Sequence, residues 1–315
     1  LIIGLILGIP IAVSLGLSNI FPSLVNPSFP GNIHFVIRGM VSALDSTPTL
    51  AIPLFILSGD IMTRGKISEK LFNVFAYFLG SIRAGLPIAT IATALFYGAI
   101  SGSGVATTAA VGSMAIPFLT SLGYDKVYSA ALVATAGGLG VIIPPSIPFV
   151  TYGVVTGVSI GDLFIAGIFP GLLIGGSLMV YAYIYATKYG EDREKINARV
   201  NMLREKGFVK VFMESFWALL TPVIILGGIY SGIVTPTEAA VISVFYSLFV
   251  CLFVYKTLTF KNIYTILAGS VRSYAPIVVL LSLAIMFRRV LALLQAPVLL
   301  REFIVSNFSG NKVLF

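Results

Sequence analysis

The chain has 315 residues, of which 57% are hydrophobic and only 10% are charged. This composition excludes an ordinary soluble domain and predicts an all-α, polytopic membrane protein whose main surroundings are the lipid bilayer. The formal net charge of +8 does not indicate a nucleic-acid partner, because the Lys and Arg residues lie in short loops between apolar stretches and form no basic face.

In chain order, six apolar stretches are long enough to cross a bilayer as single helices, which takes about 20 residues each. They are residues 1–21, 45–63, 163–187, 211–231, 236–255 and 274–294. Residues 87–119 and 127–156 are equally apolar but are interrupted by Gly, Ser and Pro. Broken backbone is tolerated at membrane depth only where protein buries it or it lines a cavity, so these two stretches are the candidates for function.

The distribution of positive charge predicts the topology. If residues 87–119 enter the membrane and return as a re-entrant hairpin, most of the Lys and Arg residues fall on one side, which is then cytoplasmic. A single membrane-crossing helix at the same place would put every later loop on the opposite side of the membrane, and the Lys and Arg residues would no longer be concentrated on one side. The sequence therefore favours a hairpin.

Two stretches are predicted to be helices that do not span. Residues 188–210 mix charges of both signs at helical spacing, which indicates a cytoplasmic linker helix. Residues 68–81 place Phe72, Phe75, Ala76 and Leu79 on one face, which is typical of a helix lying in the membrane interface.

A weak internal repeat recurs at an interval of about 230 residues. It pairs residues 9–13 with 235–241, 51–64 with 275–288, and 69–80 with 299–310. Because the loops alternate sides, the two copies are predicted to be inverted. The first copy continues into a hairpin and a broken helix, so we expect a second hairpin in on the order of 100 further residues, missing from this chain.

The repeat divides the chain into four predicted parts. They are scaffold helices with the interfacial helix (1–83), a transport domain with the first hairpin and the broken helix (84–187), the linker helix (188–210), and the scaffold helices that start the second repeat (211–315).

The candidate chemistry lies in the two glycine-rich interruptions, residues 98–108 and 137–148. Sodium prefers oxygen ligands, and we predict that the hydroxyls of Ser101, Ser103 and Thr107 supply them, together with carbonyls near Gly138 and Pro144. The N-termini of the half-helices that follow suit an anionic substrate. The predicted substrate residues are Gly102, Gly104, Thr108, Pro145 and Ser146. The alternatives are close packing of small residues and a proline kink without a ligand.

Other functions find little support in the residues. Cys251 and His34 are the only residues of their types, which excludes disulfides and leaves no material for a His-based or Cys-ligated centre. An intramembrane serine protease at Ser101 would need a base to activate the serine, and no histidine follows it. A passive channel stays open as an alternative, although broken helices and inverted repeats favour alternating access.

Four segments resemble the large membrane subunit of TRAP transporters, the tripartite ATP-independent periplasmic transporters. They are residues 45–62, 98–117, 137–171 and 235–240, and the run Ile143-Pro144-Pro145-Ser146-Ile147-Pro148 followed by Gly157-Val158-Ser159-Ile160-Gly161 is the most specific. Residues 235–238 also fit a helix capping box, which explains them locally.

The resemblance implies an inverted-repeat, elevator-type transporter in the bacterial inner membrane, driven by sodium. It also implies two protein partners, a small four-helix membrane subunit of the Q type and a periplasmic substrate-binding protein. The implied substrates are small organic anions such as C4-dicarboxylates and sialic acid. Many members of the family have Asp at the position of Thr107, so sodium binding here is expected to be weaker or to depend more on backbone oxygens.

Overall fold

A computed structural model describes residues 1–308, and all regular secondary structure in that range is helical, which confirms the all-α prediction. The helices are α1 (Ile2–Ile6), α2 (Ile11–Val25), α3 (Ile33–Leu44), α4 (Ala51–Arg64), α5 (Ile67–Leu79), α6 (Gly85–Ser101), α7 (Gly104–Ser121), α8 (Lys126–Gly137), α9 (Ile147–Thr156), α10 (Ile160–Tyr189), α11 (Arg193–Glu205), α12 (Phe208–Tyr230), α13 (Pro236–Phe249), α14 (Phe260–Leu293) and α15 (Ala296–Phe308). Short 3₁₀ turns cover Thr47–Leu50 and Gly138–Val141, and a π-helical turn, Val250–Val254, extends α13.

Within the described residues, five helices are long and apolar enough to cross a membrane, or up to six if Ile33–Leu44 and Thr47–Arg64 together form one bent span. The five are Gly104–Ser121, Ile160–Tyr189, Phe208–Tyr230, Pro236–Val254 and Phe260–Leu293. The prediction of a multi-pass membrane protein is therefore confirmed, although the bounds of individual spans differ from the sequence expectation.

The first predicted span, residues 1–21, is wrong as a single helix. The structure divides it into α1 and α2, because Gly8 adopts a left-handed conformation with φ +75° and Pro10 follows it. Proline lacks the amide hydrogen that a continuing helix needs, so the second helix starts only after it. Hydropathy alone could not place this break, since the residues around it are all apolar.

The last predicted span begins earlier than expected. The sequence placed its start at residue 274, whereas α14 runs from Phe260 through Pro276 without a break. Lys261 and Arg272 lower the hydropathy of its first turns. A helix can continue beyond the apolar stretch, so low hydropathy is no evidence for a loop.

Helices α6 and α7 form the predicted hairpin. Ala84, just before α6, donates its backbone N–H to Glu191 Oε1 at 3.0 Å, and the Tyr124 hydroxyl, just after α7, donates to the same carboxylate oxygen. One carboxylate thus contacts both open ends of the pair. The two helices therefore run antiparallel, with their connection at Gly102 and Ser103 forming the tip.

The two predicted non-spanning helices are present as α11 and α5. Ile196 and Val200 are the buried residues of α11, and most of its exposed residues are charged or polar. Helix α5 buries Leu71, Phe72 and Ala76 among its inward residues and packs against α6 and α12. Its apolar face is therefore used for protein packing, at least in part, rather than for lipid contact alone.

The backbone supports the internal repeat at one specific point. Helices α4 and α5 are separated by Gly65 and Lys66, and Lys66 has φ +57°. Helices α14 and α15 are separated by Leu294 and Gln295, and Gln295 has φ +52°. A left-handed conformation is uncommon for residues other than glycine. The same break therefore recurs at the interval that the sequence repeat predicts.

The chain forms two compact units. The larger unit, Thr47–Ser273, holds both glycine-rich interruptions and a continuous apolar core whose large buried side chains include Tyr97 and Phe72. The smaller unit joins residues 1–46 to the described residues from Tyr274 onward, and in it the buried Asn19 side chain donates to the Leu283 carbonyl at 3.0 Å. These bounds differ from the four predicted parts, and the division into scaffold and transport domain stays a prediction.

Candidate functional site

The hairpin tip is shaped by Gly102 and Ser103. Gly102 ends α6 in a left-handed conformation with φ +62°, which glycine adopts without the steric penalty of a side chain. A Cβ at this position would lie 2.8 Å from the Pro145 carbonyl oxygen. Ser103 is extended and caps α7, its hydroxyl accepting from the Ala106 N–H at 3.4 Å. The chain thus reverses direction within two residues.

The second interruption lies directly against this tip. Helix α8 ends at Gly137, a 3₁₀ turn follows, and the chain passes through a cis Pro144–Pro145 bond before Ser146 caps α9. The Ile147 N–H, the first of α9, donates to the Gly102 carbonyl at 3.1 Å. Two helix breaks that lie about 40 residues apart in the sequence are therefore joined by a backbone hydrogen bond.

Three oxygens of the hairpin tip form a compact triangle, here called the oxygen triad. The Thr107 hydroxyl donates to the Ser103 carbonyl at 2.8 Å, the Ser101 hydroxyl approaches the same carbonyl at 3.3 Å, and the two hydroxyl oxygens are 2.9 Å apart. Ser101 and Thr107 are 1% and 0% exposed. The structure therefore brings together the three residues whose hydroxyls were predicted to bind sodium, but Ser103 contributes its carbonyl to the triad while its hydroxyl caps α7.

The triad suits a hard monovalent cation. Its members are neutral oxygens, and hard cations prefer oxygen ligands at about 2.3–2.6 Å, which places adjacent ligands about 3.3–3.7 Å apart. The observed separations of 2.8–3.3 Å are slightly shorter, so a bound ion would spread the triangle by a few tenths of an ångström. Among the residues that the structure describes, no group of three His, Cys, Asp or Glu side chains is placed to hold a metal.

The glycine nearest the triad is Gly140. A Cβ on Gly140 would lie 2.9 Å from the Ser103 carbonyl oxygen and 3.0 Å from Cβ of Thr107, so only glycine fits there. Gly138, whose carbonyl was predicted to bind sodium, lies beside Gly104, because a Cβ on Gly104 would be 3.8 Å from the Gly138 Cα. The sodium role of the Gly138 carbonyl stays a prediction. Which glycine of the 3₁₀ turn faces the triad depends on the register of that turn, which the sequence pattern did not reveal.

The remaining predicted residues lie around the tip rather than on the triad. Pro145 contacts Gly102, Thr108 contacts Gly137, and Gly104 faces the Gly137 carbonyl. Pro144 is buried, and the described contacts do not join its carbonyl to the triad. The buried Ser146 hydroxyl donates to the Val141 carbonyl at 2.7 Å. The predicted sodium and substrate roles of these residues stay predictions.

Two helix N-termini meet at this place. Helix α7 starts at Gly104 and α9 starts at Ile147, and the hydrogen bond from Ile147 to Gly102 brings both starts together. The start of a helix carries a partial positive charge, which favours anions. At α9 the Ile147 and Phe149 N–H groups already donate to Gly102 and Ser146, so the helix dipole there, rather than these N–H groups, would attract an anion.

Helix α4 packs against the backbone of the triad at Ser101. The sequence analysis did not predict this contact. A Cβ on Gly59 would lie 3.2 Å from Cα of Ser101, so the two backbones are in close contact. The Gly59 carbonyl accepts from the buried Tyr97 hydroxyl at 3.3 Å and from Thr63 at 2.8 Å. The Ser-Gly pair at 58–59, two small residues inside an apolar helix, was the available signal for this contact.

The open end of the hairpin is held by Glu191, at the start of the linker. Its side chain is 2% exposed, and it pairs with Arg193 at 3.1 Å in addition to its contacts with Ala84 and Tyr124. Burial and the Glu191 carboxylate raise the pKa of the Tyr124 hydroxyl above its ordinary value, so this hydroxyl stays protonated. The charged linker therefore fixes the hairpin at the end opposite its tip.

Comparison with known proteins agrees with this architecture. The family model described as the DctM component of the tripartite ATP-independent periplasmic transporter matches residues 1–315. The chain is 43% identical over 293 residues to the isethionate TRAP transporter permease protein DctMQ of Oleidesulfovibrio alaskensis, covering 93% of this chain and 45% of that protein. It is 40% identical to the C4-dicarboxylate TRAP transporter large permease protein DctM of Pseudomonas aeruginosa, covering 90% and 65%.

A third relative, a putative TRAP transporter large permease protein of Haemophilus influenzae, is 37% identical over 94% of this chain and 68% of its own length. The chain thus spans between about half and two thirds of these three relatives. The family consists of transporter permeases, which confirms that the chain is not an enzyme and removes the protease alternative. The match over every residue shows that the chain belongs to the DctM family of TRAP transporter large membrane subunits.

Proposed function

We propose that this protein imports a small organic anion across the bacterial inner membrane together with sodium. The observation that carries the proposal is the meeting of the buried oxygen triad with the N-termini of α7 and α9. A cation at the triad would add positive charge beside the two N-termini, so each ion would favour binding of the other. Such mutual stabilisation is the physical basis of coupled transport.

In this proposal sodium binds to the hydroxyls of Ser101 and Thr107 and to the Ser103 carbonyl. Carbonyls of the facing segment, near Gly138 and Pro144, complete the shell. Because Thr107 is neutral, the site holds no carboxylate, and its affinity depends on how well these oxygens are preorganised. Gly59 and Gly140 contribute by letting two neighbouring segments approach the triad closely.

The substrate is a small organic anion. Relatives are named for isethionate, a sulfonate, and for C4-dicarboxylates, and sialic acid is a third candidate. Helix N-termini bind carboxylates and sulfonates by the same N–H groups, so the charge alone does not select among these anions. The residues around the tip, Gly102, Gly104, Thr108, Pro145 and Ser146, are proposed to contact the substrate.

The proposed mechanism is an elevator movement of the hairpin and the broken helix relative to a scaffold. A small four-helix membrane subunit and a periplasmic binding protein that delivers the substrate complete the transporter. The antiparallel hairpin supports this proposal, because helices α6 and α7 form one unit that can carry the triad at its tip. A passive channel would need neither a binding protein nor coupling between the ions.

Uptake into proteoliposomes tests the proposal. The full-length protein, its small subunit and its binding protein are supplied with labelled isethionate, succinate or sialic acid, under a sodium or a potassium gradient. We expect uptake of at least one anion that requires both sodium and the binding protein. The Ser101→Ala variant should need more sodium, whereas Ser113→Ala, an exposed serine in the same hairpin, should behave like the wild type. Uptake at the same rate without sodium and without the binding protein would contradict the proposal and favour a channel.

A further inference from the structure

The smaller unit contains a cavity whose charged lining residues are all basic. The cavity has a volume of about 670 Å³ and lies along one face of α3, at Phe35, Arg38, Gly39 and Ser42. Arg289 of α14, His34 and the loop residues Pro30 and Asn32 complete its lining. A Cβ on Gly39 would lie 3.5 Å from Nη1 of Arg289, so the guanidinium of this arginine lies against α3 at Gly39, the residue after Arg38.

Three positive features converge here without an opposing carboxylate. Neither Arg38 nor Arg289 lies within ion-pair distance of an acidic side chain in the part of the chain that the structure describes. The third feature is the N-terminus of the twelve-residue helix α3, which Asn32 caps by accepting from the Phe35 N–H at 2.9 Å. Two guanidinium groups beside a helix N-terminus form a favourable site for a phosphate group.

The neighbouring face of α3 indicates where that phosphate comes from. Ile33, Ile37 and Val41 follow one another at a spacing of four and are 48%, 54% and 68% exposed. This apolar stripe runs beside the stripe that carries Arg38 and Ser42, so the helix is amphipathic with a basic side. A basic amphipathic helix is typical of binding to anionic lipid at a membrane surface.

The depth of the cavity agrees with this source. Arg289 lies in the last turns of α14, which ends at Leu293 and is one of the candidate membrane spans. The apolar helix α2, which exposes Leu17 and Phe21, leads into the loop that carries Pro30 and Asn32. Basic side chains at the ends of apolar helices lie at the level of lipid headgroups.

We propose that Arg38 and Arg289 bind the phosphate of an anionic phospholipid. One acyl chain lies along the stripe of Ile33, Ile37 and Val41, and the N–H groups at the start of α3 assist the arginines. This lipid site shares no residue with the hairpin tip.

Native mass spectrometry of the detergent-purified protein tests this proposal. The protein is exposed to an equal mixture of phosphatidylglycerol and phosphatidylcholine, and the lipid retained after activation is measured. We expect the wild type to retain phosphatidylglycerol preferentially, and the Arg38→Gln/Arg289→Gln variant to lose roughly tenfold or more of it, because two charged hydrogen-bond donors are removed. Arg288→Gln, at an exposed neighbour outside the cavity, should retain lipid like the wild type.

Three outcomes would overturn the proposal. They are equal retention of both lipids by the wild type, unchanged retention in the double variant, and displacement of the lipid by an equal concentration of inorganic phosphate. The last would identify a soluble phosphate as the ligand. The melting temperature of the double variant shows whether it folds. If it does not fold, the single variants Arg38→Gln and Arg38→Lys are compared instead. Equal lipid retention by these two single variants would also contradict the proposed site.

Discussion

Single residues decide how closely the two helix breaks can approach. The sequence predicted Ser101, Ser103 and Thr107 as cation ligands, because residue type and local spacing show which hydroxyls lie close to the glycines of a helix break. That Gly140 faces Thr107 could not be predicted in the same way, since it depends on the register of a 3₁₀ turn. Contacts between distant segments, such as Gly59 with Ser101, are set by packing and leave no local pattern.

Gly102→Ala tests the tightest of these contacts. The left-handed conformation costs an alanine about 1 kcal/mol or more, and the new Cβ would lie 2.8 Å from the Pro145 carbonyl oxygen. We expect a loss of roughly 2–4 kcal/mol, within the range of strained or overpacked substitutions. The melting temperature in detergent measures it. Gly176→Ala is the control, because a Cβ there meets nothing within 4 Å. Equal melting temperatures for the two variants would contradict the assigned tip geometry.

At the scale of elements, composition and periodicity predicted most helices but not all of their ends. The hairpin, the broken helix and the linker helix were recognisable because glycine, proline and charge interrupt an otherwise apolar pattern. The break at Gly8 and the early start of α14 were missed, since helix ends depend on backbone conformation as well as hydropathy. The attachment of the hairpin to the linker could not be predicted from the sequence either, because Glu191 contacts residues that are distant in the sequence.

Glu191→Gln tests that attachment. The substitution keeps the shape of the side chain but removes the charge that faces Arg193, Tyr124 and the Ala84 N–H. Hydrogen bonds to a charged group contribute about 1.5–3 kcal/mol each, so we expect the variant to lose stability by roughly 1–3 kcal/mol. Its melting temperature should fall below that of Glu205→Gln, an exposed change at the end of α11. Indistinguishable variants would show that Glu191 does not hold the hairpin.

The Tyr124 hydroxyl predicts a pH dependence. Burial and Glu191 raise its pKa in the folded protein, so the folded state holds this proton more tightly than the unfolded state does. The resulting stability is complete below the ordinary tyrosine pKa of about 10 and is lost as the pH rises above it. Between pH 9 and about 11, the wild type should therefore lose more stability than Tyr124→Phe. Parallel losses in a pH series of melting curves would refute this assignment.

At the scale of the whole molecule, composition identified a polytopic membrane protein, and the motifs at the two breaks identified its family. The weak repeat gains support from the matching left-handed residues Lys66 and Gln295. The relative orientation of the two copies and the identity of the moving helices stay predictions. Both depend on how whole groups of helices are arranged, and a local sequence pattern does not encode that arrangement. The proposed ion site, in contrast, is concentrated at one point where the hairpin tip meets the broken helix.

The most direct test of the account is whether sodium binds at the oxygen triad. Sodium that binds only the folded protein raises its stability, by about 2.7 kcal/mol at a concentration one hundred times the dissociation constant. Melting temperatures in detergent are recorded while sodium replaces potassium at constant ionic strength. We expect sodium to stabilise the wild type and Thr120→Ala alike, Thr120 being an exposed threonine of α7, whereas Thr107→Ala should require roughly tenfold more sodium. An unchanged sodium response in Thr107→Ala would show that sodium does not bind at the triad.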